Sequence, residues 1–186
     1  MLVALGIRRA VSLGGPLSYD AATGERLWVR RYDGPLHRSA EATALAVSRD
    51  GSTVFVTGHV IAGPRSSPTD ATVAYDASTG AKRWASFYGS GHRDASPQAL
   101  EVSPDGTTLF VMGYGDGPTN YRDYTTVAYS AFTGARLWAK RYDGPEGIDD
   151  FPSALAVSPD GSAVFVTGGI DWPNERDYAT VAYAAR

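Results

Sequence analysis

Short apolar segments alternate with turn residues along the whole chain, and the segments return in the same order. The segment ALAV from Ala154 places Leu155 and Val157 on one face of a pleat with a period of two residues. The turn Ser-Pro-Asp-Gly follows, in which proline suits the second position and glycine accepts positive φ at the fourth. The next segment, AVFVTG from Ala163, is rich in β-branched and aromatic residues. The pattern predicts two strands joined by a tight hairpin.

Two further segments complete the unit. The third, DYATVAY from Asp177, recurs as DYTTVAY from Asp123 and as TDATVAY from Thr69. The fourth, ARLWAKRY from Ala135, follows a turn that ends on glycine, as the turn at Gly80 does. The sequence shows no amphipathic helix pattern, so it predicts an all-β chain of four-stranded antiparallel meanders. We label the strands A, B, C and D in their order within a unit.

The units recur at a nearly constant spacing. Their tyrosines at 19, 75, 129 and 183 are separated by 75−19=56, 129−75=54 and 183−129=54 residues. A repeat of roughly 40–55 residues built from short strands is typical of the blades of a β-propeller. The strand order reads (C)D, ABCD, ABCD, ABC, which predicts about three blades per chain.

The predicted organisation is a ragged segment followed by an arc of blades. The segment covers residues 1–16 and the repeats cover 17–186, with units near 17–43, 44–98, 99–153 and 154–186. Because an arc of this size leaves two sheet faces bare, we expect two chains to associate head to tail as a homodimer and close a ring of about six blades. The alternative is that the chain is a fragment of a longer propeller.

Composition and charge narrow the classes of function. The chain has 186 residues, a formal net charge of −3 and scattered basic residues, so no nucleic-acid partner is expected. It contains no cysteine, which excludes a disulfide framework and a cysteine nucleophile. No apolar run approaches the roughly 18 residues that would cross a bilayer. The N-terminal apolar stretch precedes its arginines, the reverse of a secretory signal, and the compartment stays open.

The repeats resemble a known group of propellers. The phrase YDAATGERLW, with Asp20, Thr23, Gly24 and Trp28, resembles the tryptophan-docking repeat of dehydrogenase-type propellers that use pyrroloquinoline quinone (PQQ). The Ser-Pro-Asp-Gly hairpins resemble those of bacterial surface propellers of the YVTN and TolB kind. Together they are similar to bacterial PQQ-like or SBBP-type repeat proteins, a family that is often extracytoplasmic.

The resemblance implies structural roles and no catalytic ones. It implies that neighbouring blades are stapled by these residues: Trp28, Trp84, Trp138, Gly24, Gly80 and Gly134. A buried indole N–H needs an acceptor, and the backbone of the adjacent Ala-x-Thr-Gly turn is a natural one. The quinone and calcium sites of the true enzymes come from elsewhere, often with a vicinal cysteine pair, so no cofactor is expected in this chain.

The variable loops indicate where a binding site would lie. The A–B and C–D turns are nearly identical between units, whereas the D–A and B–C connections differ and emerge on one side, which we call the loop face. The candidate binding residues on this face are Trp172, Asp171, Arg176, Tyr114, Tyr121, His37, His92, Asp149 and Asp150. Trp172 is the strongest of them because an exposed indole can stack on a sugar or anchor a partner protein.

Carboxylates and histidines leave alternatives open. The acidic residues around Asp149 lack the spacing of a known calcium loop, and Asp123 and Asp150 are expected to cap turns, so no metal ligand is predicted. The sequence favours a non-enzymatic binding module for a protein, a peptide or a glycan. The alternatives are a fragment of a PQQ-dependent oxidoreductase, and a hydrolase or lyase with a channel metal near His37, His92 and the Asp149–Asp150 pair.

Overall fold

The computed structural model describes residues 2–5, 16–61, 68–89, 95–117, 121–171 and 175–185. These residues form strands only: β1 Leu2–Leu5, β2 Pro16–Tyr19, β3 Arg26–Val29, β4 Ala40–Val47, β5 Thr53–Ile61, β6 Pro68–Asp76, β7 Lys82–Tyr88, β8 Ala95–Val102, β9 Thr108–Asp116, β10 Arg122–Ser130, β11 Arg136–Tyr142, β12 Asp150–Val157, β13 Ala163–Asp171 and β14 Arg176–Ala184. Within these ranges no helix is long and apolar enough to cross a membrane.

The strands form four antiparallel sheets that follow one another along the chain. The sheets are β1–β2–β3, β4–β5–β6–β7, β8–β9–β10–β11 and β12–β13–β14, so every sheet is a meander. The second and third sheets contain all four predicted strands, A to D, which confirms the all-β, propeller-blade architecture. The four sheets do not close a ring within the described part of the chain. In the first sheet, β1 pairs with β2 from Leu2↔Tyr19 to Leu5↔Pro16, so a strand lies within the segment 1–16 that the sequence pattern leaves ragged.

Strand A is longer than the apolar pattern predicts. In the fourth sheet it begins at Asp150 rather than Ala154, and its pairing with β13 shifts register between Pro152 and Ala154. Strands β4 and β8 shift at the equivalent places. Each shift is a β-bulge, in which one extra residue interrupts the alternation of faces. The first half of strand A therefore cannot be recognised from the alternation of apolar residues. In β12 this half also contains a proline, which is unfavourable inside a strand.

A glycine lies opposite each bulge: Gly58, Gly113 and Gly168. A Cβ atom on Gly168 would lie 2.5 Å from the Cα of Pro152 and closer still to the carbonyl oxygen of Phe151. The backbone of the bulged strand thus occupies the space of the missing side chain. The sequence predicts that strand B ends at its Thr-Gly or Met-Gly pair. In the structure β13 continues beyond this pair to Asp171.

The A strands of neighbouring sheets lie next to one another on the inner side of the arc. The hydroxyl of Thr43 in β4 donates a hydrogen bond to the carbonyl oxygen of Pro97 in β8, at 2.7 Å. The backbone N–H of Val157 in β12 donates to Glu101 Oε2 in β8, at 3.1 Å. Strand order within each sheet therefore runs from A on the inner side to D on the outer side.

The apolar core lies between the sheets. Between the second and third sheets, Phe55 packs with Leu109, Val111 and Tyr129. Between the third and fourth, Phe110 packs with Val164. These side chains are nearly fully buried. Burial of such apolar area is the main favourable contribution to folding, so each sheet depends on its neighbour for stability.

The indoles of strand D lie at these seams. Trp28 Nε1 donates to the carbonyl oxygen of Ala77 in the next sheet at 2.9 Å, and Trp84 Nε1 donates to that of Ala131 at 3.1 Å. The rings of Trp138 and Phe110 lie 5.8 Å apart, between the third and fourth sheets. Both acceptors are the first residue of an Ala-x-Thr-Gly turn, the turn expected from the sequence to accept a hydrogen bond from the indole.

The turn glycines differ in what packs on them. Gly80 and Gly134 have φ of +69° and +72°, and a Cβ there would lie 2.8 Å from Trp28 and 2.6 Å from Trp84 respectively. Gly24 has the same φ as Gly134, but no atom of the described residues lies within 4 Å of its Cβ position. The positive φ alone is thus a reason for glycine at position 24.

The residue two positions after the indole differs from seam to seam. At the first seam, Arg30 Nε donates to the carbonyl oxygen of Gly80 at 2.9 Å, and Arg30 Nη2 to that of Thr79 at 2.6 Å. At the second seam the smaller Ser86 occupies this position and donates from Oγ to the carbonyl oxygen of Gly134 at 2.5 Å. At both seams an indole therefore packs on the turn glycine of the next sheet, but the polar side chain that bonds to this turn differs.

The last sheet has one open apolar face. Phe165 is 42% exposed and Tyr178 is 82% exposed, whereas their equivalents in the third sheet, Phe110 and Tyr124, are 0% and 1% exposed. Phe110 and Tyr124 are covered by the fourth sheet. We call the surface formed by Phe165 and Tyr178 the open face.

Candidate functional site

The variable connections of the third and fourth sheets meet at the loop face. Tyr114 lies near the end of β9 and pairs with Tyr124 of β10, while Asp171 ends β13 and pairs with Arg176 of β14. The first residue of β12, Asp150, pairs with Ile170. Because the strands are antiparallel, these ends all lie at one edge of their sheets. The structure thus brings together five of the predicted site residues: Tyr114, Asp149, Asp150, Asp171 and Arg176.

Two arginines and two aromatic rings contact one another in this region; Arg176 is exposed and the other three side chains are half-buried. The rings of Tyr114 and Phe151 meet edge to face with centroids 5.8 Å apart. The guanidinium of Arg122 lies 5.1 Å from the Tyr114 centroid and 5.4 Å from that of Phe151, and that of Arg176 lies 5.8 Å from Phe151. We call these four residues the arginine–aromatic cluster. Cation–π attraction holds the guanidiniums against the rings.

Carboxylates orient this cluster. Arg176 Nε donates to Asp171 Oδ1 at 2.6 Å, and this hydrogen bond raises the pKa of Arg176. The backbone N–H of Arg122 donates to Asp149 Oδ1 at 2.9 Å, which joins the start of β10 to the connection before β12. The predicted residues Asp149 and Asp171 therefore position two arginine-bearing strand ends.

A second group of carboxylates lies behind the cluster. Asp123, Asp143 and Asp150 each offer an oxygen within 4.8 Å of the others, and Asp123 and Asp150 are buried. Burial raises the pKa of Asp123 to about 6, against the opposing effect of Arg141 and with reinforcement from Asp143 and Asp150. Burial likewise raises the pKa of Asp150.

The expectation that both buried aspartates cap turns is half right. Asp150 Oδ2 accepts a hydrogen bond from the backbone N–H of Gly144. Asp123 caps no turn: its oxygens accept no hydrogen bond from the described residues, and Oδ2 instead forms an ion pair with Arg141 Nε at 3.0 Å. The difference arises because Asp123 lies inside the ladder of β10, at the pair Asp123↔Gly115.

The remaining predicted residues lie elsewhere. His37 lies in the first D–A connection, where its Nδ1 contacts Asp33 Oδ2 at 2.8 Å, and its side chain is 82% exposed. Tyr121 is 46% exposed, just before β10. Trp172 and His92 lie outside the described residues, so the stacking role of the indole and the histidine pair in a channel stay predictions.

Sequence reasoning missed Phe151 and Arg122 as members of the site, and Asp143 as a neighbour of Asp150. Phe151 follows the aspartate pair, and Arg122 precedes a strand just as Arg176 does, so the repeated Arg-Asp pair at 122–123 and 176–177 was the available signal. The contact between these residues joins positions about 30 residues apart, which no local pattern expresses.

Comparison with known proteins places this architecture. A family model described as outer membrane protein assembly factor BamB matches residues 14–171. No curated protein matches the chain in sequence. The periplasmic gluconolactonase PpgL of Pseudomonas aeruginosa has a similar structure, with a TM-score of 0.54 and 17% identity over 89% of this chain and 46% of its own.

A quinohemoprotein alcohol dehydrogenase, ADHIIG of Pseudomonas putida HK5, is also similar in structure. Its TM-score is 0.55, with 16% identity over 84% of this chain and 26% of its own. At such identities the likeness concerns the fold alone. The chain spans less than half the length of either of these two structures.

Proposed function

Since this chain belongs to the family of PQQ-like β-propeller repeat proteins whose model is described as outer membrane protein assembly factor BamB, we propose that it is a non-enzymatic binding module. In this proposal the loop face between the third and fourth sheets holds a segment of a partner protein. The observation that carries the proposal is the arginine–aromatic cluster. The family description, which concerns protein assembly, supports a protein partner over a glycan.

The chemistry of the cluster favours a peptide that carries carboxylates. Arginine and aromatic residues are enriched among the residues that contribute most to protein interfaces. The side chain of Arg176 is 64% exposed, and among the described residues one carboxylate holds its guanidinium, so its other N–H groups are available to a second acceptor. A guanidinium matches the geometry of a carboxylate. In the same proposal, Trp28 and Trp84 act as docking tryptophans that keep the sheets carrying this face in place.

We expect truncation of the cluster to weaken peptide binding. Twelve-residue peptides selected by phage display on the intact protein are the probe, and calorimetry in 150 mM NaCl is the measurement. Phe151→Ala and Arg176→Ala should each lower affinity by about tenfold or more, as loss of a central interface residue does. Phe132→Ala, which removes an exposed aromatic in a C–D turn at the opposite sheet edge from the loop face, is the control and should change affinity less than about twofold.

Two results would contradict the binding proposal. One is a set of selected peptides whose affinity depends on Phe132 and not on Phe151 or Arg176. The other is dye-linked alcohol oxidation after addition of PQQ, since turnover would assign the chain to the oxidoreductase class. Salt is a further check: affinity should fall as NaCl rises, because part of the attraction is between exposed charges.

Self-association is the second part of the proposal. The open face supports it, because the equivalent side chains in the second and third sheets are buried against a following sheet. We propose that the N-terminal part of a second copy covers this face and completes the last blade, so that two chains close a head-to-tail ring of about six blades. Light scattering at about 100 μM should then give twice the chain mass of 19.7 kDa.

Phe165→Asp should convert this dimer to a monomer, because a charge would be buried at the contact. Phe132→Asp is the matched control: Phe132 is 74% exposed in a C–D turn, away from the open face, so the dimer should persist. A monomeric mass for the unaltered chain at the same concentration would refute the head-to-tail ring.

A further inference from the structure

Three carboxylates converge where the third sheet joins the fourth. Asp123 lies near the start of β10, Asp143 directly follows β11, and Asp150 opens β12. One oxygen of each lies within 4.8 Å of the others. Asp123 is 0% exposed and Asp150 is 1% exposed, whereas Asp143 reaches solvent. Two of the three charges are therefore removed from water.

The buried carboxylates also have oxygens that lack a donor. Asp150 Oδ2 accepts from the Gly144 N–H at 2.5 Å, but no described residue donates to Asp150 Oδ1. Asp123 Oδ2 pairs with Arg141, while Asp123 Oδ1 receives no hydrogen bond from the described residues. Leaving buried, ionised oxygens unpaired is strongly unfavourable. Glycine at position 144 places no side chain against Asp150, since a Cβ there would lie 2.8 Å from Asp150 Oδ1.

The charges at this point do not balance. Among the described residues, three carboxylates face one guanidinium, that of Arg141, so these residues leave two negative charges uncompensated. We propose that Asp123, Asp143 and Asp150 bind one hard divalent cation, with calcium preferred.

The ligand set and its spacing point to calcium. All three groups are carboxylates, which suit calcium, magnesium and manganese better than soft metals. The three oxygens lie within 4.8 Å of one another, so a single ion can contact all of them. Magnesium usually binds through only one or two carboxylates and keeps its waters, whereas calcium accepts several, so a set of three carboxylates favours calcium. The exposed side of Asp143 leaves room for water to complete the six to eight ligands that calcium takes.

The cation would join three separate segments of the chain. Asp123 belongs to the third sheet, Asp150 to the fourth, and Asp143 to the connection between them. Arg122 immediately precedes Asp123 in sequence, and Phe151 immediately follows Asp150. The guanidinium of Arg122 lies against the ring of Phe151. Binding would thus tighten the seam beneath the loop face, whether or not a peptide is the partner.

Calcium titration of EDTA-treated protein tests the site. Calorimetry up to 10 mM CaCl₂ in 150 mM NaCl should show one ion per chain, with a Kd on the order of 10⁻⁴ M. At 10 mM calcium the melting temperature should rise by about 5–10 °C. Magnesium at the same concentration should give a smaller rise.

Substitutions separate ligation from folding. Asp150→Asn removes a buried charge without changing shape and keeps an oxygen that can accept from Gly144, so this ion-free variant should be at least as stable as the parent and should no longer respond to calcium. Asp123→Asn should also abolish the calcium response, but it removes the ion pair with Arg141, so the ion-free variant should be less stable than the parent. Asp177→Asn is the matched control, because Asp177 is the exposed equivalent of Asp123 in the fourth sheet, and its calcium response should be unchanged.

Three outcomes would overturn the cation site. The first is no heat and no thermal shift at 10 mM calcium. The second is an equal loss of response in Asp177→Asn, which would mean that calcium acts on surface carboxylates in general. The third is a combined result in which the two asparagine variants are more stable than the parent and calcium does not stabilise the parent. It would mean that protonation of the carboxyl groups, and not a bound cation, neutralises the triad. Peptide binding is not part of this measurement, so the two proposals fail separately.

Discussion

Gly168→Ala is expected to lower the free energy of unfolding by about 3 kcal/mol or more. The new Cβ would collide with the carbonyl oxygen of Phe151 and with the Cα of Pro152. These are backbone atoms of the bulged strand β12, so no side-chain rotation relieves the clash, and the bulge itself must move. Urea unfolding followed by tryptophan fluorescence measures the change.

The next residue in β13 provides the matched control. A Cβ on Gly169 would lie 3.5 Å from the flexible side chain of Arg176, an ordinary contact, so Gly169→Ala should stay within about 0.5 kcal/mol of the parent. Equal effects of the two substitutions would mean that strand entropy, and not the close approach of the bulge, governs position 168.

Trp84→Ala is expected to lower the free energy of unfolding by about 3 kcal/mol. The indole of Trp84 packs with Phe55 at a centroid distance of 5.8 Å and covers Gly134 of the next sheet. Its removal leaves a cavity between the two complete sheets, and such changes cost about 3–5 kcal/mol in cores. We take the lower end because the side chain is only half-buried. The unfolding transition should also broaden as the sheets uncouple.

Two further variants divide this effect into its parts. Trp84→Phe keeps an aromatic ring but loses the donor to the carbonyl oxygen of Ala131, so a loss of about 1 kcal/mol is expected. Leu137→Ala removes an apolar side chain that is 54% exposed, and should change stability by less than about 0.5 kcal/mol. If Trp84→Ala were as mild as Leu137→Ala, the indole would contribute nothing to the seam.

Local chemistry explains what the sequence predicts well. Turn residues mark both hairpins of each unit, and the positive φ of Gly51, Gly80 and Gly161 agrees with the turns expected there. The strands between them follow from alternation and β-propensity. Because one unit repeats the next, a pattern that is weak in one copy is supported by the others. The all-β propeller architecture therefore follows from the sequence with little ambiguity.

Tertiary contacts explain what the sequence could not predict. The bulge at Ser153 is visible only through its partner, since Gly168 reads equally well as the end of a strand. The arginine–aromatic cluster joins Arg122 to Phe151, and their meeting depends on how two sheets pack. The charge of Asp123 is likewise unremarkable in sequence, and only burial beside Asp150 makes it unusual. Periodicity describes a strand, whereas these features belong to pairs of strands.

The contrast between Arg30 and Ser86 bears on how a chain of near-identical units finds its correct order. A sheet that packed against the wrong neighbour would keep most of its apolar contacts, so apolar packing alone discriminates poorly between correct and incorrect orders of the sheets. The guanidinium of Arg30 donates two hydrogen bonds to the carbonyl oxygens of Thr79 and Gly80, whereas Ser86 donates one to that of Gly134, so a mispaired sheet would exchange one set of polar contacts for the other. These polar differences between otherwise repeated seams therefore favour the correct order of the sheets over folds in which blades are exchanged.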